Sequence, residues 1–170
     1  SLIKYSKTKK SLIKIVLVIS NSSNAKGLEY AKKLKISNIF IKYINKRKFE
    51  NKSLELLKKN NIDLICLAGF MKILSGVFIK DFNKPILNIH PSLLPKYKGL
   101  NTHYRAIKNK DKYSGATVHF VNQKLDSGKI ILQERVRIFK RDNEKSLEKK
   151  VLKIEHKIYP KAIIRLLTSY

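Results

Sequence analysis

The sequence predicts a single α/β domain, residues 1–170, built around a mainly parallel sheet. Short apolar runs alternate with amphipathic stretches of helical period, which is the pattern of βαβ units. Neither a repeat nor a low-complexity linker interrupts this alternation. A chain of 170 residues that is 43% hydrophobic is also long enough to form one sizeable core.

The first half of the chain shows the alternation most clearly. Apolar runs indicate strands, and stretches with apolar residues three or four apart indicate helices. A glycine at position 69 ends the last of these runs, where it lets the backbone approach a ligand closely. In order, we predict a strand at 12–20, a helix at 25–35, a strand at 38–43, a helix at 50–60 and a buried strand at 63–68.

The middle of the chain continues with shorter elements. The runs 117–121 and 130–138 carry β-branched residues, and the loop 122–128 separates them, so we expect an antiparallel pair. Before them we predict a short helix at 75–80, a strand at 85–88 and a helix at 102–109.

A long helix is predicted at the C-terminal end. Asp142 and Asn143 provide a helix-start signal, and Pro160 is expected to kink the helix. Apolar residues recur at helical spacing along it, and we expect them to face the core: Leu147, Val151, Ile154 and Ile158.

The formal charge of +26 arises because 38 lysines and arginines outnumber 12 acidic residues. Lysines occur in every segment and greatly outnumber arginines, whereas nucleic-acid-binding surfaces concentrate arginines and aromatic residues on one face. We therefore expect a solvated lysine surface and no nucleic-acid partner. The charge should still attract anionic small molecules, including phosphorylated ones.

The cysteine count, the length of the apolar runs and the histidine spacing indicate the protein's compartment and whether it binds a metal. The single cysteine, Cys66, lies in the apolar run 62–68, where inert burial is the usual outcome. One cysteine allows no disulfide framework, and no apolar run is long enough to cross a membrane. We therefore expect a cytoplasmic protein without a membrane partner. The four histidines have no metal-ligand spacing, so we also expect no metal.

The stretch 88–99, NIHPSLLPKYKG, is the strongest candidate for an active-site loop. Asn88 and His90 fall at the carboxyl end of a predicted strand, where open α/β sheets place their ligands. Pro91 and Pro95 prevent a strand or helix from continuing. The result is a stiff loop that presents an amide and an imidazole.

Further sequence blocks follow in a fixed order around this loop. They read LAGFMKILS at 67–75, LNTHYRAI at 100–107, GATVHFV at 115–121, LDSG at 125–128 and EHKIYP at 155–160. Together they resemble the folate-dependent formyltransferases, in the branch whose acceptor is glycinamide ribonucleotide. The resemblance implies a Rossmann-like, three-layer formyltransferase fold. It also implies formyl transfer from 10-formyltetrahydrofolate to an amine in de novo purine biosynthesis.

The resemblance assigns catalysis to Asn88, His90 and Asp126. Formyl transfer between two nitrogens needs stabilisation of an oxyanion and movement of protons. Asn88 can donate to the formyl oxygen, and an imidazolium at His90 could stabilise the oxyanion. A carboxylate from Asp126 beside His90 would orient the ring. His103 and His119 are weaker candidates that could support the site through hydrogen bonds, and His156 is expected to be structural.

The resemblance also implies two sets of binding residues. Lys72 stands where the family usually has arginine. The compact ammonium charge of lysine therefore replaces the planar, two-pronged guanidinium of arginine. The second substrate is expected at Met71, Pro91 and Glu155. The folate pocket is expected to be lined by Leu67, Phe70, Met71, Lys72, Ile73, Leu74, Ser75, Ile86 and Asn88, with Lys46 or Arg47 near the folate tail.

Two features of the family have no counterpart in this sequence. They are its first strand and its Gly-rich phosphate loop, and residues 2–10 correspond to the remnant of its first helix. We therefore expect a chain truncated at the N-terminus and at the C-terminus. The sequence leaves open a formyltetrahydrofolate hydrolase, a methionyl-tRNA formyltransferase, a folate-binding or polyanion-binding domain without turnover, and either a monomer or a homodimer.

Overall fold

The fold is described from a computed structural model, in which residues 1–168 are placed. Helices and strands alternate as predicted, and the α/β class is confirmed. In chain order the elements are α1 (Leu2–Ser6), β1 (Leu17–Ser20), α2 (Lys26–Lys33), β2 (Ser37–Phe40), α3 (Lys46–Lys59), β3 (Ile65–Leu67), α4 (Gly76–Phe82), β4 (Ile86–His90), α5 (Thr102–Lys108), β5 (Tyr113–Phe120), β6 (Ile130–Arg137) and α6 (Glu144–Thr168).

The described strands form two sheets. β1 pairs with β2 in parallel, and β3 pairs with β4 in parallel within a four-stranded sheet of order β3-β4-β5-β6. The predicted antiparallel pair, β5 and β6, is confirmed. β4 also pairs antiparallel with β5, so that Asn88 faces His119 across the ladder. Hydrophobic period alone does not specify which strands become neighbours, and this pairing was not predicted.

The main core lies between the four-stranded sheet and α6. Leu147, Val151 and Ile158 are fully buried there, as their helical spacing predicts. α6 continues through Pro160 to Thr168. No helix within residues 1–168 combines the length and hydropathy needed to span a membrane.

The parallel pair β3 and β4 positions the candidate site. Their carboxyl ends lie at the same edge of the sheet, because Leu67 is in register with Asn88. The buried hydroxyl of Tyr159, on α6, lies 2.8 Å from the carbonyl oxygen of Leu67 and 3.2 Å from that of Leu87. α6 therefore ties together the two strands whose carboxyl ends carry the site.

Candidate active site

Asn88 and His90 occupy the carboxyl-terminal end of β4. They are two residues apart in a strand, so their side chains lie on the same face of the sheet. His90 is the last residue of the strand and only 6% exposed, whereas Asn88 is half-buried. The sequence prediction that both side chains meet at this edge agrees with their positions.

Asp126 reaches the same place from the loop between β5 and β6. Its Oδ2 lies 3.4 Å from Nδ1 of His90. The same Oδ2 accepts a hydrogen bond of 2.8 Å from the backbone N–H of Gly99. The side chain of Asp126 is only 8% exposed, so its carboxylate is held by these neighbours largely away from solvent. The structure thus brings the three predicted catalytic side chains together.

The second ring nitrogen of His90 is also engaged. Nε2 lies 2.8 Å from the carbonyl oxygen of Tyr97. A carbonyl oxygen can only accept, so Nε2 carries the hydrogen of this bond. The imidazole is therefore fixed between a backbone carbonyl on one side and the carboxylate of Asp126 on the other.

His119 orients Asn88. Its Nδ1 lies 2.8 Å from the carbonyl oxygen of Phe120 and must donate to it. Burial lowers the pKa of His119, which favours the neutral ring. The free lone pair on Nε2 then faces the Asn88 amide nitrogen at 3.4 Å and accepts from it. One hydrogen of that amide is left to point elsewhere.

These side chains open onto a large cavity of about 1660 Å³. Met71 and Ile73 project into the open space, with 72% and 50% of their surface exposed. Asn88, His90 and Asp126 line one part of it. The other predicted binding residues on its wall are Leu67, Phe70, Met71, Lys72, Ile73, Leu74, Pro91 and Glu155.

Three residues predicted to bind folate lie outside this wall. Ile86 is 3% exposed and packs in a core cluster with Phe78. Ser75 caps α4, since its Oγ accepts from the backbone N–H of Phe78. Lys46 is the exposed first residue of α3. Their role in folate binding stays a prediction.

Glu155 and His103, on the cavity wall, also have shifted pKa values. Burial, followed by the nearby carboxylate of Glu148, raises the pKa of Glu155 to about 7. Burial lowers the pKa of His103, whose Nδ1 has no hydrogen-bond partner among residues 1–168. Both shifts are toward the neutral form, and both side chains can form hydrogen bonds to a polar ligand.

Cys66 plays no visible part in this geometry. Burial raises the pKa of the Cys66 thiol to about 12, which fits the predicted inert cysteine. Within residues 1–168, His, Cys, Asp and Glu side chains do not come together in groups of three or more that could hold a metal ion.

Sequence reasoning missed the backbone partners of the site. The carbonyl of Tyr97 and the N–H of Gly99 hold His90 and Asp126, yet neither depends on a side chain. The available signal was the glycine itself, because Gly99 has φ +77°, a conformation that favours glycine. The buried carboxylate of Glu50, which bonds to Ser75, was missed as well.

Comparisons with known proteins agree with the fold and the motifs. The chain is 45% identical over 153 residues to the phosphoribosylglycinamide formyltransferase of Haemophilus influenzae. This alignment covers 88% of this chain and 72% of that protein. It is 44% identical over 156 residues to the trifunctional purine biosynthetic protein adenosine-3 of Bos taurus, with 90% of this chain matched but only 15% of the relative. This chain thus spans a small part of the multifunctional relatives.

Structural comparison gives the same result. The crystal structure of phosphoribosylglycinamide formyltransferase from Bacillus halodurans superposes with a TM-score of 0.92 at 32% sequence identity, covering 98% of this chain and 87% of that one. The formyl transferase family profile matches residues 1–163. The resemblance identified from the ordered sequence blocks is therefore confirmed, and this chain belongs to the formyl transferase family.

Proposed function

We propose that this chain transfers a formyl group from 10-formyltetrahydrofolate to the amine of glycinamide ribonucleotide, in de novo purine biosynthesis. The observation that carries the proposal is the convergence of Asn88, His90 and Asp126 at the cavity. The chain's membership of the formyl transferase family supports it, as does its similarity to relatives named for this reaction.

Asn88 and His90 are the groups that stabilise the developing negative charge. Attack of an amine on the formyl carbon places that charge on the formyl oxygen. The amide of Asn88 donates to this oxygen through the hydrogen that His119 does not use. The Nε2 hydrogen of His90 is used on the carbonyl of Tyr97, so His90 acts through Nδ1, where a proton places positive charge beside the reacting group. Such preorganised groups lower the barrier because they need no reorientation during the reaction.

Asp126 orients His90 and assists proton movement. Its carboxylate is held by the N–H of Gly99, so it does not have to be ordered when substrate binds. A proton arriving at Nδ1 of His90 faces Oδ2 of Asp126 at 3.4 Å. The pair can therefore hold a proton while it passes between the attacking and leaving nitrogens.

The cavity is large enough for two substrates. A site for one drug-sized ligand has a volume of about 300–1,000 Å³, and the observed 1660 Å³ exceeds that range. We propose that the folate lies against 67–75, with Lys46 near its tail and Ser75 and Ile86 behind the wall. The nucleotide then lies near Met71, Pro91 and Glu155. Residues 1–170 act as one domain in this proposal.

A formyl-transfer assay with both substrates tests the proposal. His90→Ala and Asp126→Asn should each lower kcat by about a hundredfold or more, because each removes a group that stabilises charge or moves a proton. Asp63→Asn is the matched control, since Asp63 is 87% exposed and pairs with Lys84 at the surface. We expect a chelator to leave activity unchanged.

Other outcomes identify the alternatives. Formate release at full rate without the nucleotide would support a formyltetrahydrofolate hydrolase. Formylation of methionyl-tRNA in place of the nucleotide would support the tRNA enzyme. Saturable folate binding with no turnover in the unmodified chain would contradict the catalytic proposal and leave a binding domain.

A further inference from the structure

The loop that forms the folate-facing wall has an unpaired backbone. Residues 68–75 connect β3 to α4, and most of them line the cavity. Within the described chain, no backbone amide or carbonyl of residues 69–74 forms a hydrogen bond to the protein. The loop thus offers free donors and acceptors to a ligand. Its own backbone, however, supplies nothing that fixes its shape.

The carboxylate of Glu50 holds the end of this loop. Glu50 lies on α3 and is only 6% exposed. Its Oε1 accepts from the backbone N–H of Ser75 at 2.7 Å, and its Oε2 accepts from the Ser75 hydroxyl at 2.6 Å. Both oxygens of a buried carboxylate are therefore used on one residue, at the point where the loop turns into α4.

Two ring contacts hold the rest of the loop on the same side. Phe49, the neighbour of Glu50, stacks on Phe70 with ring centroids 5.6 Å apart and an interplanar angle of 19°. Lys72 places its Nζ 5.0 Å from the centroid of the Tyr43 ring. The start, middle and end of the loop are thus all held by α3 or by the segment just before it.

We propose that Glu50 is a positioning residue for folate binding, acting through Ser75 on the wall formed by residues 68–75. This inference rests on the proposed function, because it assumes that the wall receives the folate. Glu50 does not line the cavity, so it does not contact the reacting atoms. A loop ordered before the ligand arrives removes part of the entropic cost of binding. The effect therefore falls on folate affinity and not on the chemical step.

Steady-state kinetics of three variants test the assignment. Glu50→Ala removes both acceptors and should raise KM for 10-formyltetrahydrofolate about tenfold, with kcat and KM for the nucleotide nearly unchanged. Glu50→Gln keeps an oxygen for the Ser75 N–H and should restore most of the affinity. Glu55→Gln is the control, because Glu55 lies on the same helix but is exposed and pairs with Lys52.

A folate KM in Glu50→Ala equal to that of Glu55→Gln would overturn the proposal, as would a loss confined to kcat. If Glu50→Ala does not fold, Glu50→Asp replaces it. That variant keeps a carboxylate but withdraws it by one methylene. An unchanged KM for 10-formyltetrahydrofolate in Glu50→Asp would also overturn the proposal.

Amide hydrogen exchange separates this proposal from the proposed function. We expect the amides of Ser75 and Phe78, which bond to Glu50 and to the Ser75 hydroxyl, to exchange faster in Glu50→Ala than in Glu55→Gln, whether or not the chain is active. If the unmodified chain transfers no formyl group but exchange of these amides depends on Glu50, the function fails and the anchoring stands. Equal exchange rates in the two variants would reject the anchoring itself.

Discussion

His90 is held by groups that leave its ring little rotational freedom. Nε2 bonds to the carbonyl of Tyr97 at 2.8 Å, and Nδ1 faces Asp126 at 3.4 Å. Burial to 6% exposure limits competition from water for both contacts. A ring fixed on two sides keeps the same position for every substrate molecule, so a proton on it need not be reoriented during the reaction.

The pKa of Glu155 predicts a pH dependence of stability. Burial raises this pKa to about 7, above the ordinary value of 4.5, so the folded state binds a proton more tightly than the unfolded state. The stabilising contribution is complete below pH 4.5 and is lost as pH rises through 7. Glu155→Gln removes the ionisation, so the decline in unfolding free energy between pH 5 and 8 should become shallower. Urea unfolding at several pH values measures this unfolding free energy.

Glu29→Gln provides the control for this measurement, because Glu29 is exposed on α2. Its pH profile should match that of the unmodified chain. A Glu155→Gln profile as steep as the unmodified one would contradict the prediction and indicate that Glu155 ionises normally in the folded protein.

At the scale of residues, the sequence predicts the side chains of the site better than their partners. Asn88, His90 and Asp126 are identified by residue type within ordered motifs. Every residue has a backbone carbonyl, so the fold and not the residue type gives the Tyr97 carbonyl its role. Glu50 looks like a solvated helix residue in a lysine-rich segment, and only the folded structure reveals its burial.

The connection between β5 and β6 leaves no room for a side chain at Gly128, where its end packs against its beginning. A Cβ at Gly128 would lie 1.7 Å from the carbonyl oxygen of Phe120, a backbone atom that cannot move independently. Gly128→Ala should therefore displace the loop that carries Asp126 and destabilise the protein by about 2–4 kcal/mol. Thermal or urea unfolding gives the stability, and the transfer assay should show a parallel loss of kcat.

Gly27→Ala is the matched substitution on α2. No atom lies within 4 Å of a Cβ at that position, and alanine favours a helix. It should be neutral or stabilising by up to about 1 kcal/mol. Equal stability of the two variants would show that the β5–β6 connection adapts more freely than its backbone contacts indicate.

Element boundaries shifted wherever a local interaction overrode the hydrophobic pattern. α3 begins at Lys46 and not at residue 50, because the side chain of Asn45 accepts from the N–H of Lys48 and caps the helix. β1 begins at Leu17 and not at residue 12, since its ladder with β2 begins there. Apolar period indicates an element, whereas caps and partner strands determine where it begins.

At the scale of the whole molecule, positive charge far exceeds the available ion-pair partners. The net charge is +26, and most lysines are exposed. Several acidic residues are already paired with lysines, as in Asp63 with Lys84 and Asp111 with Lys96. The surface as a whole therefore presents a positive field to ligands approaching the cavity.

This field predicts that salt weakens capture of the anionic substrates. The Debye length shrinks from about 20 Å near 0.02 M salt to about 7 Å near 0.2 M, so distant lysines stop contributing to attraction. We expect kcat/KM for the phosphorylated nucleotide to fall several-fold over this range, with kcat little changed. Initial rates in a sodium chloride series measure it, and a sucrose series of equal osmolality is the control. A salt-independent kcat/KM would mean that the scattered lysines act only as a solvated surface and give no assistance to binding.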